Sequence, residues 1–404
     1  MARTRGIVGN KPALDSSPFS DVLGLDSTYV ATTANVVYPS VDSGSFPVAG
    51  LAIAQSGGMT RPINNQYIYF KKSNTWDFFK YPATQTASSL SGNFYGVTAT
   101  PGGTCVSFLR SPPSGTLDVR IHTYLKDSNG GYSSESNVLA TGASINSYCG
   151  EYNPAGTILA LAASSSPYIY LYSRNGATLT RLSDPASLPP DCSGSSGDIL
   201  NWSPDGQYLA MCTASSPYFI VWKVSGTTFT KINNPATLPA GGTSALAWNH
   251  NGNSLAVSYN TVVYLYNKSG DTLTYANSFT TSRGAITSMD WNHNGTLLAV
   301  NGANAPYYTI LQRSGDTLSS SGITLKTMSG GTYGVPMFKF SKQAYDNNNT
   351  SLLGYTNGSM WFNTITTGGV TTKANILGTT TGFANNDGSD NNDVTVQNFC
   401  FIYN

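Results

Sequence analysis

The residues able to do chemistry in this 404-residue chain are few: three histidines, 20 acidic side chains and five cysteines, with charged residues at 10%. His250 and His293 occupy the same place in two similar segments, Trp248-Asn249-His250-Asn251-Gly252 and Trp291-Asn292-His293-Asn294-Gly295. Equivalent positions in successive repeats stand a full repeat apart, so the pair reads as turn residues and not as converging metal ligands. His122 has no carboxylate beside it in sequence. No Gly-x-Ser-x-Gly elbow accompanies it to suggest a nucleophile, base and acid acting together.

Paired acids for hydrolysis must project into one cleft. Most acidic residues here sit in turn-like segments; Asp198 and Asp290 are the exceptions, lying within or beside apolar runs. They are expected to hydrogen-bond near the centre of the fold, and they are the first residues to test for a hydrolase. Asp387-Gly388-Ser389-Asp390-Asn391-Asn392-Asp393 gathers the hard oxygen ligands that calcium prefers, without the Gly and Glu of a helix-loop-helix calcium loop. With the oxygen-rich Asp346-Asn347-Asn348-Asn349 it reads as solvated loop. No catalytic, cofactor-binding or metal-binding set emerges, and no cofactor is expected.

Cys105, Cys149, Cys192, Cys212 and Cys400 are odd in number and contain no Cys-x-x-Cys pair, which speaks against disulfides or a zinc site. Most lie in or beside strand-like apolar runs, where a thiol packs as a small hydrophobe. Free thiols suit folding in a reducing cytoplasm. The net charge of +1 gives no global field to attract a polyanion. No stretch of 18 apolar residues suggests a membrane anchor.

What must position these residues is a repeat. Trp202-Ser203-Pro204-Asp205-Gly206 leads into Tyr208-Leu209-Ala210-Met211, and Trp248 and Trp291 open matching segments that run into Leu255-Ala256-Val257 and Leu297-Leu298-Ala299-Val300. Tyr152-Asn153-Pro154-Ala155-Gly156 leads likewise into Ile158-Leu159-Ala160-Leu161. These anchors are spaced by 50, 46 and 43 residues. Each copy predicts a strand, a Gly-containing turn and a second strand. A third strand of alternating pattern follows, as in Tyr218-Phe219-Ile220-Val221-Trp222, and then a turn and a polar fourth strand. Four strands per repeat make one blade of an all-β propeller.

Weaker copies around Thr100 and at Phe340, and a beginning at Leu51, bring the number to about seven. Residues 1–46 are expected to form an N-terminal arm making subunit contacts, with Arg3 and Arg5 touching a neighbouring subunit. Residues 47–404 form the propeller, with blades near 47–90, 91–140, 141–195, 196–240, 241–284, 285–330 and 331–395, and 396–404 closing the first blade. The structural anchors are Tyr152, Trp202, Trp248, Trp291 and Phe340. Cys400-Phe401-Ile402-Tyr403-Asn404 mirrors Cys149-Gly150-Glu151-Tyr152-Asn153 and so supplies the missing first strand, sealing the ring and removing two open sheet edges.

The Trp-Ser-Pro-Asp-Gly-x-x-Leu-Ala grammar at Trp202, Trp248 and Trp291 resembles the WD40-type propeller repeat over about four blades, without its Gly-His and Trp-Asp dipeptides. A chain so poor in charge and rich in Thr, Ser, Asn, Gly and Tyr also resembles bacteriophage virion proteins, in particular the propeller-bearing hub or nozzle proteins of short-tailed phages. That resemblance implies a non-enzymatic tail component in a virion assembled in the host cytoplasm. Its partners would be other tail proteins and copies of itself in a ring, a hexamer in the hub case, with DNA passing but not tightly bound. A carbohydrate- or receptor-binding propeller is the first alternative, because tyrosine faces stack on sugar rings; a propeller hydrolase using Asp198 or Asp290 is the second.

Overall fold

The computed structural model describes residues 48–56, 66–72, 77–82, 94–110, 120–126, 132–139, 149–192, 198–304, 308–323, 337–340, 350–356, 359–366, 369–373 and 395–403. These form seven four-stranded antiparallel sheets. The chain is a β-propeller, and its only helical piece among the described residues is a 3-10 turn at Pro101–Gly103. No helix among them is long and apolar enough to cross a membrane.

The third blade comprises β8 (Cys149–Tyr152), β9 (Ile158–Ala162), β10 (Ile169–Asn175) and β11 (Thr178–Arg181). The fourth has β12 (Leu200–Trp202), β13 (Tyr208–Cys212), β14 (Phe219–Ser225) and β15 (Thr228–Lys231). In the fifth, β16 (Leu246–Trp248), β17 (Ser254–Tyr259), β18 (Val262–Ser269) and β19 (Thr272–Thr280) follow the same order. The sixth repeats it with β20 (Met289–Trp291), β21 (Leu297–Asn301), β22 (Tyr308–Ser314) and β23 (Thr317–Ser320).

Burial along each blade explains the strand chemistry read from the sequence. Every residue of β9 and β13 is buried, because both faces of a second strand are covered by neighbouring blades. The third strands β10 and β14 are buried over their first half and emerge over their second. The fourth strands β11, β15 and β23 bury one residue each, Leu179, Phe229 and Leu318. Full apolar runs, then alternation, then polarity therefore record distance from the axis.

The residue after each of Tyr152, Trp202, Trp248 and Trp291, and Thr100 in the second blade, fastens the first hairpin. Asn153 Oδ1 accepts from the backbone N–H groups of Thr157 and Ile158 at 2.8 and 2.9 Å. Asn292 Oδ1 does the same for Thr296 and Leu297, at 2.9 and 3.0 Å. Asn249 Oδ1 accepts from Ser254 N–H at 3.0 Å, Ser203 Oγ from Tyr208 N–H at 2.9 Å, and Thr100 Oγ1 from Cys105 N–H at 3.0 Å. Short polar side chains that bond their own backbone a few residues on are what such turns select. The Gly of each turn has a left-handed backbone, as at Gly206 with φ of 69°, where a side chain would be strained.

A second device links one blade to the next. Three side chains on inner strands accept from the backbone N–H of the next blade's anchor: Thr98 Oγ1 from Tyr152 at 3.3 Å, Glu151 Oε2 from Trp202 at 2.8 Å, and Asn201 Oδ1 from Trp248 at 2.8 Å. Asn201 also donates through Nδ2 to both oxygens of Glu151, at 3.1 and 3.2 Å. The indoles of Trp202 and Trp291 add bonds to the carbonyls of Glu151 and Ala247, each at 3.1 Å. The anchors thus bind blade to blade as well as filling the core.

Ring closure takes the form of β28 (Thr395–Tyr403) paired with β1 (Val48–Ser56), which continues into β2 (Gln66–Lys72) and β3 (Asp77–Pro82). Cys400 lies opposite Ala52, Phe401 opposite Leu51, Ile402 opposite Gly50 and Tyr403 opposite Val48. The closing strand is nine residues long, beginning at Thr395, well before the five-residue segment whose likeness to Cys149–Asn153 revealed it. Phe340 ends β24 (Met337–Phe340), the inner strand of the seventh blade. Arg3, Arg5 and the proposed arm lie outside the described residues.

Candidate functional site

Because neighbouring strands are antiparallel, the starts of the inner strands, the connections from second to third strands and those from fourth strands to the next blade share one face of the propeller. The starts of the inner strands on that face carry a group of buried polar side chains, among them Asp198 and Ser288. Asp198 immediately precedes the inner strand of the fourth blade and is 8% exposed. Its Oδ2 accepts from Ser288 Oγ at 2.7 Å and from Met289 N–H at 3.2 Å, two blades further round the ring. Its backbone carbonyl accepts from Leu246 N–H of the intervening blade at 2.8 Å. One residue therefore joins three blades across the axis.

The Ser288 corner is itself held. Asn301, fully buried at the end of β21, accepts through Oδ1 from the N–H groups of Thr287 and Ser288, both at 2.8 Å, and donates through Nδ2 to Thr287 Oγ1 at 2.8 Å. In the fifth blade Ser258 plays the corresponding part, accepting from Ala245 N–H at 2.9 Å, while Ser244 Oγ donates to the Ile286 carbonyl at 2.5 Å. A carboxylate with two converging donors, on a backbone fixed by neighbouring side chains, is held in one position.

Sequence reasoning singled out Asp198 and Asp290, expecting hydrogen bonding near the axis, and Asp198 has that role in the structure. Asp290 is 4% exposed within β20, opposite Ala299. Ser288 and Asn301 were missed. Their signal was available: Asn301 is a polar residue closing an apolar strand where the third and fourth blades have Ala162 and Cys212.

The other candidates do not gather into a site. His122 is buried in β6 (Arg120–Lys126), whereas His250 and His293 sit in separate hairpins, with burial lowering the pKa of His293. No group of three metal-ligating side chains occurs among the described residues. Cys105, Cys149 and Cys212 are buried free thiols and Cys192 is half-buried. Burial raises the thiol pKa of Cys105 and Cys212, and that of Cys192 to about 12, where the nearby Asp191 adds to the effect. Such thiols are poor nucleophiles. The oxygen-rich loops 346–349 and 387–393 lie outside the described residues.

No protein-family model matches the chain, and no curated protein matches it. Solved structures do. The structure of a putative 6-phosphogluconolactonase from Bacteroides uniformis aligns with 88% of this chain and 100% of its own, at 13% identity and a TM-score of 0.59. The periplasmic gluconolactonase of Pseudomonas aeruginosa aligns with 87% of this chain and 98% of its own, also at 13% identity and 0.59. The Cps50 (Swd1) propeller domain of Myceliophteria thermophila aligns with 83% of this chain and 99% of its own, at 11% identity and 0.52.

The shared property is the propeller. These neighbours correct the expectation of a non-enzymatic virion tail component: they are gluconolactonase-like and WD40-type propellers, and the resemblance to tail hub or nozzle proteins finds no counterpart in them. The sequence reading erred because surface composition, rich in hydroxyls and amides and poor in charge, describes where a β-surface is stable and carries no information about chemistry at the axis.

Proposed function

We propose that the protein is a hydrolase of small cyclic esters, working at the axial mouth around Asp198. The observation that carries this reading is the Asp198 carboxylate, gripped at Oδ2 by the Ser288 hydroxyl and the Met289 N–H at the mouth of a propeller whose fold neighbours include proteins named as lactonases. A lactone is an activated ester, and its opening needs little beyond a positioned base and a polar surround.

In this reading Asp198 takes a proton from a water molecule as the water oxygen bonds to the lactone carbonyl carbon. The carbonyl electron pair moves to oxygen, giving a tetrahedral oxyanion. As that pair returns, the ring C–O bond breaks, and the departing alkoxide takes the proton held by Asp198. The products are the hydroxy acid and a regenerated carboxylate. The bonds from Ser288 and Met289 hold one carboxylate oxygen in place, so that little reorganisation is needed as charge develops.

The test is turnover of glucono-1,5-lactone followed by acid release in a pH-stat. Asp198→Asn preserves shape and should reduce kcat by about 10²- to 10⁴-fold, the usual contribution of a general base. A wild-type protein that does not exceed the spontaneous rate with neutral or phosphorylated lactones, or an Asp198→Asn variant of full activity, refutes the reading.

A further inference from the structure

In the third to sixth blades the last residues of the second strand face the residue at, or just before, the start of the inner strand. The facing pairs are Cys149 with Ala162, Ile199 with Cys212, Ala245 with Ser258, and Ser288 with Asn301, all of them buried. In the fourth, fifth and sixth blades one backbone bond closes the pair. It runs from the N–H of Cys212, Ser258 and Asn301 to the carbonyl of Ile199, Ala245 and Ser288, at 2.8, 2.8 and 3.1 Å. The strand end therefore closes whether the facing side chains are apolar or polar. Among these four blades only the sixth is polar at both places.

Buried polar side chains cost free energy unless they are bonded, and the bonds here lead to another blade. Asn301 Oδ1 accepts from the Thr287 and Ser288 N–H groups, both at 2.8 Å, and Nδ2 donates to Thr287 Oγ1 at 2.8 Å. These bonds fix the backbone of the corner from which Ser288 Oγ and Met289 N–H converge on Asp198 Oδ2, at 2.7 and 3.2 Å. The fifth blade shows the simpler arrangement. There Ser258 Oγ accepts from Ala245 N–H at 2.9 Å, and the corner so held carries an alanine, which has no hydroxyl to give. The carboxamide thus stands behind the corner that receives a carboxylate from two blades away.

We propose that Asn301 is a positioning residue for Asp198, acting through the Ser288–Met289 corner. A side chain that orients its neighbour's donors sets where the carboxylate sits without touching anything bound at the mouth. The consequence for lactone turnover rests on the hydrolase reading above; the hold on Asp198 does not.

The test variant is Asn301→Ser, which installs the residue that the fifth blade uses at the same place and keeps the backbone bond. Thr287→Val, which removes only the hydroxyl that receives Asn301 Nδ2, is the milder second variant should the first not fold. In the pH-stat assay Asn301→Ser should lower kcat about tenfold and Thr287→Val about threefold, because a displaced reacting group loses rate. KM should stay within about twofold, a split that general loosening of the fold would not produce. Urea unfolding of Asn301→Ser, Asp198→Ala and the double variant gives a readout without substrate. The double variant's unfolding constant should fall short of the product of the single changes by about fivefold, although the two side chains share no direct bond. Agreement with that product within about twofold overturns the positioning role, as does full kcat in both single variants of an active enzyme. Coupling in urea with no turnover by wild type supports the hold of Asn301 on Asp198 and sinks the hydrolase alone.

Discussion

Asn201 should couple the third, fourth and fifth blades, and a double-mutant cycle with Glu151 measures that coupling. Asn201→Ala removes the acceptor of the Trp248 N–H, at 2.8 Å, and both donations to Glu151, at 3.1 and 3.2 Å. Stranding a buried N–H costs about 1–3 kcal/mol, and hydrogen bonds to a charged group contribute about 1.5–3 kcal/mol. Asn201 and Glu151 are each partly exposed, so water recovers part of this, leaving a loss on the order of 2–4 kcal/mol. With an unfolding entropy of about 2.1 cal/mol/K per residue, a chain of this length unfolding as a unit should melt roughly 2–5 °C lower. The assay is urea unfolding of wild type, Asn201→Ala, Glu151→Ala and the double variant. The two losses should fall short of additivity by about 1–2 kcal/mol, as expected of partners in one network. Additivity within about 0.5 kcal/mol would refute the idea that these side chains act together as an inter-blade staple.

Removing residues 399–404 takes most of β28 from β1 and opens the ring, so the truncated protein should melt at a clearly lower temperature and aggregate through its freed edges, which light scattering on heating would report; unchanged melting sinks the closure argument. His293 has a pKa lowered by burial, so the unfolded chain takes up its proton at a higher pH than the folded one. Its contribution to stability is present above the ordinary histidine pKa of about 6.5 and is lost as pH falls below it. His293→Asn should therefore flatten the decline in melting temperature between about pH 6.5 and pH 5, and a parallel decline in both proteins would show that other groups govern it.

Much of the propeller was legible in the chain because its signals are local. The Trp-x-Pro/His-x-Gly turns, the fully apolar second strands and the alternating third strands each follow from a single hairpin's bonds and burial, and the likeness of residues 400–404 to Cys149–Asn153 disclosed even the closing strand. The site was not legible in this way. Asp198 and Ser288 are 90 residues apart and meet only because two blades are turned about a common axis, so no spacing rule connects them. Tyr218, read with the third strand, lies just before β14 with a left-handed backbone that only the structure shows. The sequence by itself determined the strands, their order and the ring, because short-range hydrogen bonding and burial decide those. Only the tertiary structure decided which polar side chains converge at the axis, because that depends on the angle between blades and not on any residue's neighbours in the chain.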